Sequence, residues 1–523
     1  MEGSIDPEEA REAVRDLEWA RRDNRRRQID IWEALYQAYM VGFTLLAVVA
    51  MASSLLPSQP VSAATTAWLT DRGGALIGLV VSAAAMTGLR SGARGGPLSF
   101  DPPTVAYVLQ SPVDRAFVTR RAALAQLRTA VLWGALGGAA TGLAFSQALP
   151  GSILGLALGF TATGVAAGLV LIGCALVTSG QRWRVLPVTA VGAVIMIWSA
   201  IDLVAATRTS PASFLGSAAL WDVTHQGNAF VFVAFATVAA VAVAGVAVSG
   251  GVSLEASQRR AGLVSQIRFA LTMQDLRTVV LLRRRMTQSL HRRDPWLPVG
   301  RSKGNRAPVF RRSLQSNLRL PAGSLVMLAV LAAAAGISFG AASRGPAALA
   351  LLPGLFLFFA AYDVLEPLAQ EADHPTRWMA HPVRPGDVVR SLTAAGAAFM
   401  IVLGLIAAAV AAPLLSAQTS PAALIVLPLG AVGATVGAAV GTMMGNSGSG
   451  AMQPMQSEVF GVYVVLRVVV PLLPALIPFA PAAAALATHG GNAGATAFSS
   501  LVYTLVPAEI AWLWLGSKAP EPG

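Results

Sequence analysis

Ionisable side chains inside apolar stretches are the first candidates for chemistry, because a charge at mid-helix in lipid costs roughly 2.5–3.5 kcal/mol on insertion scales. Arg467 falls in the apolar stretch 458–480 and Glu509 in 496–516. Counted from the expected inner ends they stand nine and seven residues deep. At about 1.5 Å rise per residue, the two depths agree within a few Å. They are expected to pair, either as a latch between adjacent helices or on a substrate path. Asp202, near the outer end of 185–206, has no evident partner in the sequence and is read as reaching the outer interface. Asp363 and Glu366 close the stretch 346–367, with Glu371 and Asp373 just beyond. No His or further Asp completes a ligand spacing there, so a solvated acidic cluster is expected rather than a metal site. The single cysteine, Cys174, forms no intrachain disulfide and reads as a small buried apolar residue.

Other chemistries leave no trace. No phosphate-binding GxxxxGK[ST] loop occurs. If ATP and Mg drive this protein, a separate chain must hold them, and no cofactor is expected here. No nucleophile elbow or Ser-His-Asp arrangement stands out. The expected outer loops carry only Asp71 and Asp222 as carboxylates, which argues against an enzyme acting on the outer face.

The elements that must position these groups are membrane helices. Hydrophobic residues make up 55% of the 523, charged residues 12%, and one stretch concentrates the basic charge. Mean hydropathy is +0.61. Residues 250–321 hold 15 of the 38 Lys and Arg, including Arg283-Arg284-Arg285 and Arg292-Arg293. Six apolar runs precede it, near 37–56, 74–90, 128–149, 152–178, 185–206 and 228–249. Six follow, near 322–341, 346–367, 393–415, 420–444, 458–480 and 496–516. Each approaches the roughly 20 residues that cross the hydrocarbon. With both termini inside, 34 Lys and Arg fall on the cytoplasmic side and three (Arg72, Arg208, Arg344) outside. Basic loops stay in the cytoplasm, so this split sets the expected orientation in a plasma membrane. The net charge of +12 is explained by lipid contact and orientation, and nucleic acid is not an expected partner.

The expected fold is therefore an all-α polytopic membrane protein with about twelve transmembrane helices. Its parts are an N-terminal amphipathic helix (1–36), a six-span half (37–249), a basic linker (250–321), a second six-span half (322–516) and a tail (517–523). Asp6 and Pro7 suit a helix start, and about 35 mostly polar residues before the first apolar run argue against a cleavable signal. Within the linker, 255–290 reads as an amphipathic surface helix and 291–310 as flexible. The halves look like parallel copies at an offset near 270 residues. Ser111-Pro112-Val113 matches His381-Pro382-Val383, and Thr224-His225 through Ala229 echoes Thr488-His489 through Ala493. Glycines recur every fourth residue at 134, 138, 142, at 151, 155, 159, and at 433, 437, 441, 445. Such stripes allow tight helix packing or a sliding seam. Trp68, Trp198 and Trp221 read as interfacial anchors.

The loops before the third span of each half carry the most information. The first runs Pro97-Leu98-Ser99-Phe100-Asp101-Pro102-Pro103, then Val105 through Leu109-Gln110-Ser111-Pro112-Val113-Asp114-Arg115, with Arg120 and Arg121 following. Prolines at 102, 103 and 112 bound a short helix between them. This segment resembles the cytoplasmic coupling segment of type-2 ABC exporter permeases, in which a short helix ending Leu-x-Ser-Pro docks on the ATPase. The second loop keeps Pro382-Val383 but has His381 where the first has Ser111, and its apolar run is weaker.

The resemblance implies a permease subunit with both six-span halves in one chain, seated on a separate ATP-binding subunit dimer. It would export a hydrophobic or amphipathic substrate. Loops 98–121 and 371–390 would touch the ATPase through Leu109, Ser111, Pro112, Asp114, Arg115, His381, Pro382 and Arg384. Anionic lipids of the inner leaflet are the other expected partners. The alternatives are an ion-driven carrier of the major-facilitator kind and a non-transporting scaffold. Such carriers keep the loop between spans two and three short, with a Gly-x-x-x-Asp-Arg-like signature. Here it is about 37 residues and lacks one.

Overall fold

The computed structural model describes residues 63–98, 100, 103–110, 114–147, 149–225, 229–272, 292–297, 308–343, 347–373, 383–415, 420–444, 469–487 and 492–517, with residues 12, 16, 19 and 20. All regular structure among them is helical. Nine of these helices are long and apolar enough to cross a membrane, or ten if one bent pair forms a single span. The protein is thus an all-helical, multi-pass membrane protein. The expected first span, 37–56, and most of the N-terminal helix lie outside the described residues. The chain divides into two compact units, Met1–Met273 and Gln274–Gly523, and the division falls inside the basic linker.

In the first unit, α1 spans Ala63–Ala93, α2 Arg115–Phe145, α3 Ile153–Gly180, α4 Val185–Ala205, α5 Pro211–Ala219, α6 Ala229–Val248 and α7 Leu254–Thr272. Helix α1 starts eleven residues before the expected span at 74. No Gly or Pro interrupts 63–72, and Asp71 points outward, so the helix absorbs what had read as loop. Trp68 lies inside that helix and is buried, which overturns its reading as an anchor. Trp198 and Trp221 do keep exposed rings. Helix α2, where a span was expected at 128–149, carries Arg115, Arg120, Arg121 and Arg128 in its first half and four glycines in its second, and it is not among the nine helices long and apolar enough to cross a membrane.

Tight backbone approach holds α2 to α3. A Cβ on Gly134 would lie 2.4 Å from the Gly164 carbonyl oxygen, one on Gly138 2.3 Å from that of Phe160, and one on Gly142 2.7 Å from that of Leu156. Interlocked contacts of this kind favour tight packing over sliding. Helix α5 was not expected. It packs on α1 through Gly74, Gly78 and Gly216, where a Cβ on Gly78 would meet the Ala212 carbonyl oxygen at 2.7 Å.

In the second unit, α8 spans Pro308–Asn317, α9 Ala322–Ala342, α10 Leu352–Val364, α11 Glu366–Asp373, α12 Pro385–Ala411, α13 Ser420–Met444, α14 Ala480–Ala487 and α15 Ala493–Ser517. Helices α10 and α11 meet at a 55° bend, so the expected span 346–367 ends in a short turned helix. The span expected at 458–480 runs on to Ala487, through a 3-10 turn at Ile477–Phe479 where Pro478 sits at the helix start. One continuous apolar core, including Leu328, Leu357, Met400, Leu427 and Phe479, joins α9, α10, α12 and α13.

Part of the linker region read as flexible is tied down within this unit. The Arg292 amide donates to the Arg319 carbonyl at 2.8 Å, and the Trp296 indole N–H donates to the Leu320 carbonyl at 2.8 Å. The Arg292 guanidinium lies over the Trp296 ring, 3.8 Å from its centroid.

Candidate coupling segment and buried aspartate network

Helix α1 ends in a pair of glycines. Gly95 and Gly96 have φ of +114° and +81°, a backbone region that side-chain-bearing residues rarely enter. The Gly96 amide closes the end by donating to the Ser91 carbonyl at 3.1 Å. The chain then turns back under the unit, burying Leu98 and Phe100. Residues Thr104–Val108 form a single π-helical turn, closed by the Leu109 amide donating to the Thr104 carbonyl at 3.0 Å.

This turn has two faces. Val105 and Leu109, four residues apart, are buried against Val118 and Leu127 of α2, Leu176 of α3, Ala242 of α6 and Ala261 of α7. Tyr107 on the opposite face is 78% exposed. Leu109, expected at a partner surface, is thus an internal anchor, 3% exposed. Asp114 is the N-cap of α2 and accepts the Ala116 amide at 3.0 Å. Arg115 and Arg120, in the first two turns of α2, are exposed. Ser111 and Pro112 lie outside the described residues.

The start of the linker braces the same segment. The Arg260 guanidinium on α7 donates through Nη1 to the Gly96 carbonyl, and burial holds its pKa below the usual arginine range. The Arg182 Nε donates to the Gly251 carbonyl at 2.9 Å.

In the second unit, Arg384 is the N-cap of α12 without a side-chain cap bond. Asp387 and Arg390 form an ion pair at 3.5 Å in its first turn. His381 and Pro382 lie outside the described residues, as does Arg467, so its expected pairing with Glu509 has no described partner; Glu509 itself is exposed. Of the acidic group, Asp363 is exposed but Glu371 is buried, which corrects the expectation of a wholly solvated cluster. No metal-ligand group occurs among the described residues.

The polar site that sequence reasoning missed is Asp202. It is fully buried within the protein, with partners that the sequence had not shown. Oδ1 accepts the Thr209 hydroxyl at 2.6 Å and the Thr207 hydroxyl at 3.0 Å. Oδ2 accepts the Ser213 hydroxyl at 2.7 Å and the Ser210 amide at 2.8 Å. Both oxygens also face the Thr209 amide at 3.1 Å. These donors gather at the start of α5, where Ser210 is the N-cap and Pro211 the first helical residue. A carboxylate there meets the unpaired amides and positive end of the helix. From Asp202 a run of hydroxyls leads through Ser213, Ser210 and Ser199 to Ser82 on α1, at 2.7, 2.7, 3.3 and 2.6 Å. The signal was present in Thr209-Ser210-Pro211, a cap-and-proline helix start. No protein-family model matches this chain, and no curated protein or solved structure is significantly similar to it.

Proposed function

We propose that this chain is the membrane-spanning subunit of an ATP-driven exporter, coupled to a separate ATP-binding subunit through the segment 98–121. The observation that carries the proposal is the two-faced turn Thr104–Val108. Its inner face packs against α2, α3, α6 and α7, while Tyr107 is exposed, as are Arg115 and Arg120 on the helix that follows. A partner pressing on that face moves three membrane helices together, because packed interiors transmit strain and do not absorb it. In this reading Leu109 positions the segment from within, and Tyr107, Arg115 and Arg120 meet the partner. Tyrosine and arginine are the residue types that most often anchor protein interfaces.

The twelve-span, two-repeat arrangement and the cytoplasmic termini belong to the same proposal. Matching helix pairs support it. In the first unit α2 packs on α3, α1 on α3, and α3 on α6. In the second α12 packs on α13, α10 on α13, and α13 on α15. The strong inward bias of Lys and Arg supports the orientation. Loop 371–390 is the second docking point in this scheme, through Val383 and Arg384, which are exposed.

The test is purification of the full chain from its own membranes in mild detergent. An ATP-hydrolysing polypeptide is expected to co-purify. Tyr107→Ala and Arg115→Ala are expected to uncouple ATP hydrolysis from transport while leaving the chain folded. If no ATPase accompanies the protein and both variants transport normally, the proposal fails.

A further inference from the structure

The second unit contains a cleft of about 80 Å³ between α8, α11 and the start of α12. Arg312, Ser313, Ser316 and Glu371 form its polar wall, and Val388 and Leu392 its apolar floor. Its level in the membrane follows from the chain. Helix α8 leads into α9, α11 follows the end of α10, and α12 begins at Pro385, so three span ends meet around it. The cleft therefore sits where hydrocarbon gives way to headgroups. Trp296 and Arg292, an aromatic and a basic group typical of that layer, pack near the α8–α9 junction.

The inward stripe of α8 is unusual for a packing face. Its members are Val309, Ser313 and Asn317, all buried, and two of the three are polar. The Asn317 amide nitrogen has no hydrogen-bond partner. An unmade bond at such a site costs about 1–3 kcal/mol. Apolar residues would pack the same stripe without that cost. Ser313 of that stripe lines the cleft, and a cleft that also holds a buried carboxylate and a rim guanidinium fits a polar ligand.

We infer that this cleft binds the phosphoethanolamine headgroup of a membrane phospholipid, its phosphate on Arg312 and its ammonium on Glu371. The inference stands apart from the transport proposal. The size excludes larger occupants, because pockets for drug-sized ligands run to roughly 300–1,000 Å³. The charge pattern selects among headgroups. A purely anionic headgroup meets the Glu371 carboxylate unfavourably. A trimethylammonium group is bulkier and has no N–H to donate to it. A primary ammonium is small and donates three hydrogen bonds.

The experiment is lipid retention by the full-length protein, delipidated and re-exposed to phosphatidylethanolamine, phosphatidylcholine or phosphatidylglycerol, and read by native mass spectrometry. Wild type is expected to hold phosphatidylethanolamine about tenfold more tightly than phosphatidylcholine, the worth of one charge-assisted hydrogen bond. Glu371→Gln is expected to erase that preference, and Arg312→Ala to weaken both lipids. Soluble phosphoethanolamine is expected to compete only weakly, because it lacks the acyl anchor. Equal retention of the two zwitterionic lipids by wild type overturns the inference without recourse to any variant. Tighter binding of phosphatidylglycerol, or binding of soluble phosphoethanolamine but not the lipid, overturns it as well.

Discussion

The two units solve the same packing problem with different materials. In the first, apolar residues gather in several separate clusters, and a buried carboxylate with its hydroxyl chain ties α4, α5 and α1 together. In the second, one large apolar core joins α9, α10, α12 and α13, with a small separate cluster between α13 and α15. The helices that follow their loops differ as well. Helix α2 is capped by the Asp114 side chain, whereas α12 starts from Arg384 with no side-chain cap and Pro385 in its first turn. The comparison teaches that the first unit's segment before α2 and its corner between α4 and α5 are each pinned by a specific polar contact. Such contacts have two defined states, made or broken, which an apolar core lacks.

The largest effect that would break this comparison is expected at Asp202. Asp202→Ala strips the acceptor from three hydroxyls and two amides. It should lower stability by about 3 kcal/mol, since each stranded buried donor costs about 1–3 kcal/mol and some will find other partners. A thermal ramp of the purified protein measures this, and a change within error would show that the network carries no weight. Next comes the seam between α2 and α3. Gly138→Leu drives a side chain into the Phe160 carbonyl and should cost about 2 kcal/mol, in the usual range for overpacking. Cysteine cross-linking across the seam sharpens the point: a sliding interface would tolerate the larger residue.

Asp114→Ala should cost about 1 kcal/mol through loss of the cap, while Arg384→Ala should cost far less. Amide hydrogen exchange at the first turns of α2 and α12 distinguishes them, and equal protection loss would erase the contrast. The smallest effect is expected at Trp68→Phe. The buried indole N–H has no hydrogen-bond partner, so its removal should be neutral or slightly stabilising. A loss above about 1 kcal/mol would mean that the ring's shape, not its polarity, dominates.

The long apolar helices were legible because lipid demands about 20 apolar residues in a row, and little else in the chain imitates that. Span ends were less legible. Helix α1 continues through Asp71 and Arg72 because a helix at the interface tolerates charge on its exposed side. The segment before α2 was readable as a short helix from its prolines, yet the burial of Leu109 was not, since its partners come from α2, α3, α6 and α7. Asp202 looked isolated because its donors lie five to eleven residues on, beyond a turn that hydropathy alone does not resolve. Glu371 looked solvated because the bend after Val364, which turns α11 against the bundle, leaves no mark in composition.

The central claim is that the exposed face of Thr104–Val108 meets an ATP-binding partner. A photo-cross-linking residue in place of Tyr107, in the full chain in its native membrane, tests it most directly. The account predicts a discrete adduct with an ATP-binding polypeptide, its yield changing when ATP is added. Adducts with lipid alone, unchanged by ATP, would contradict it.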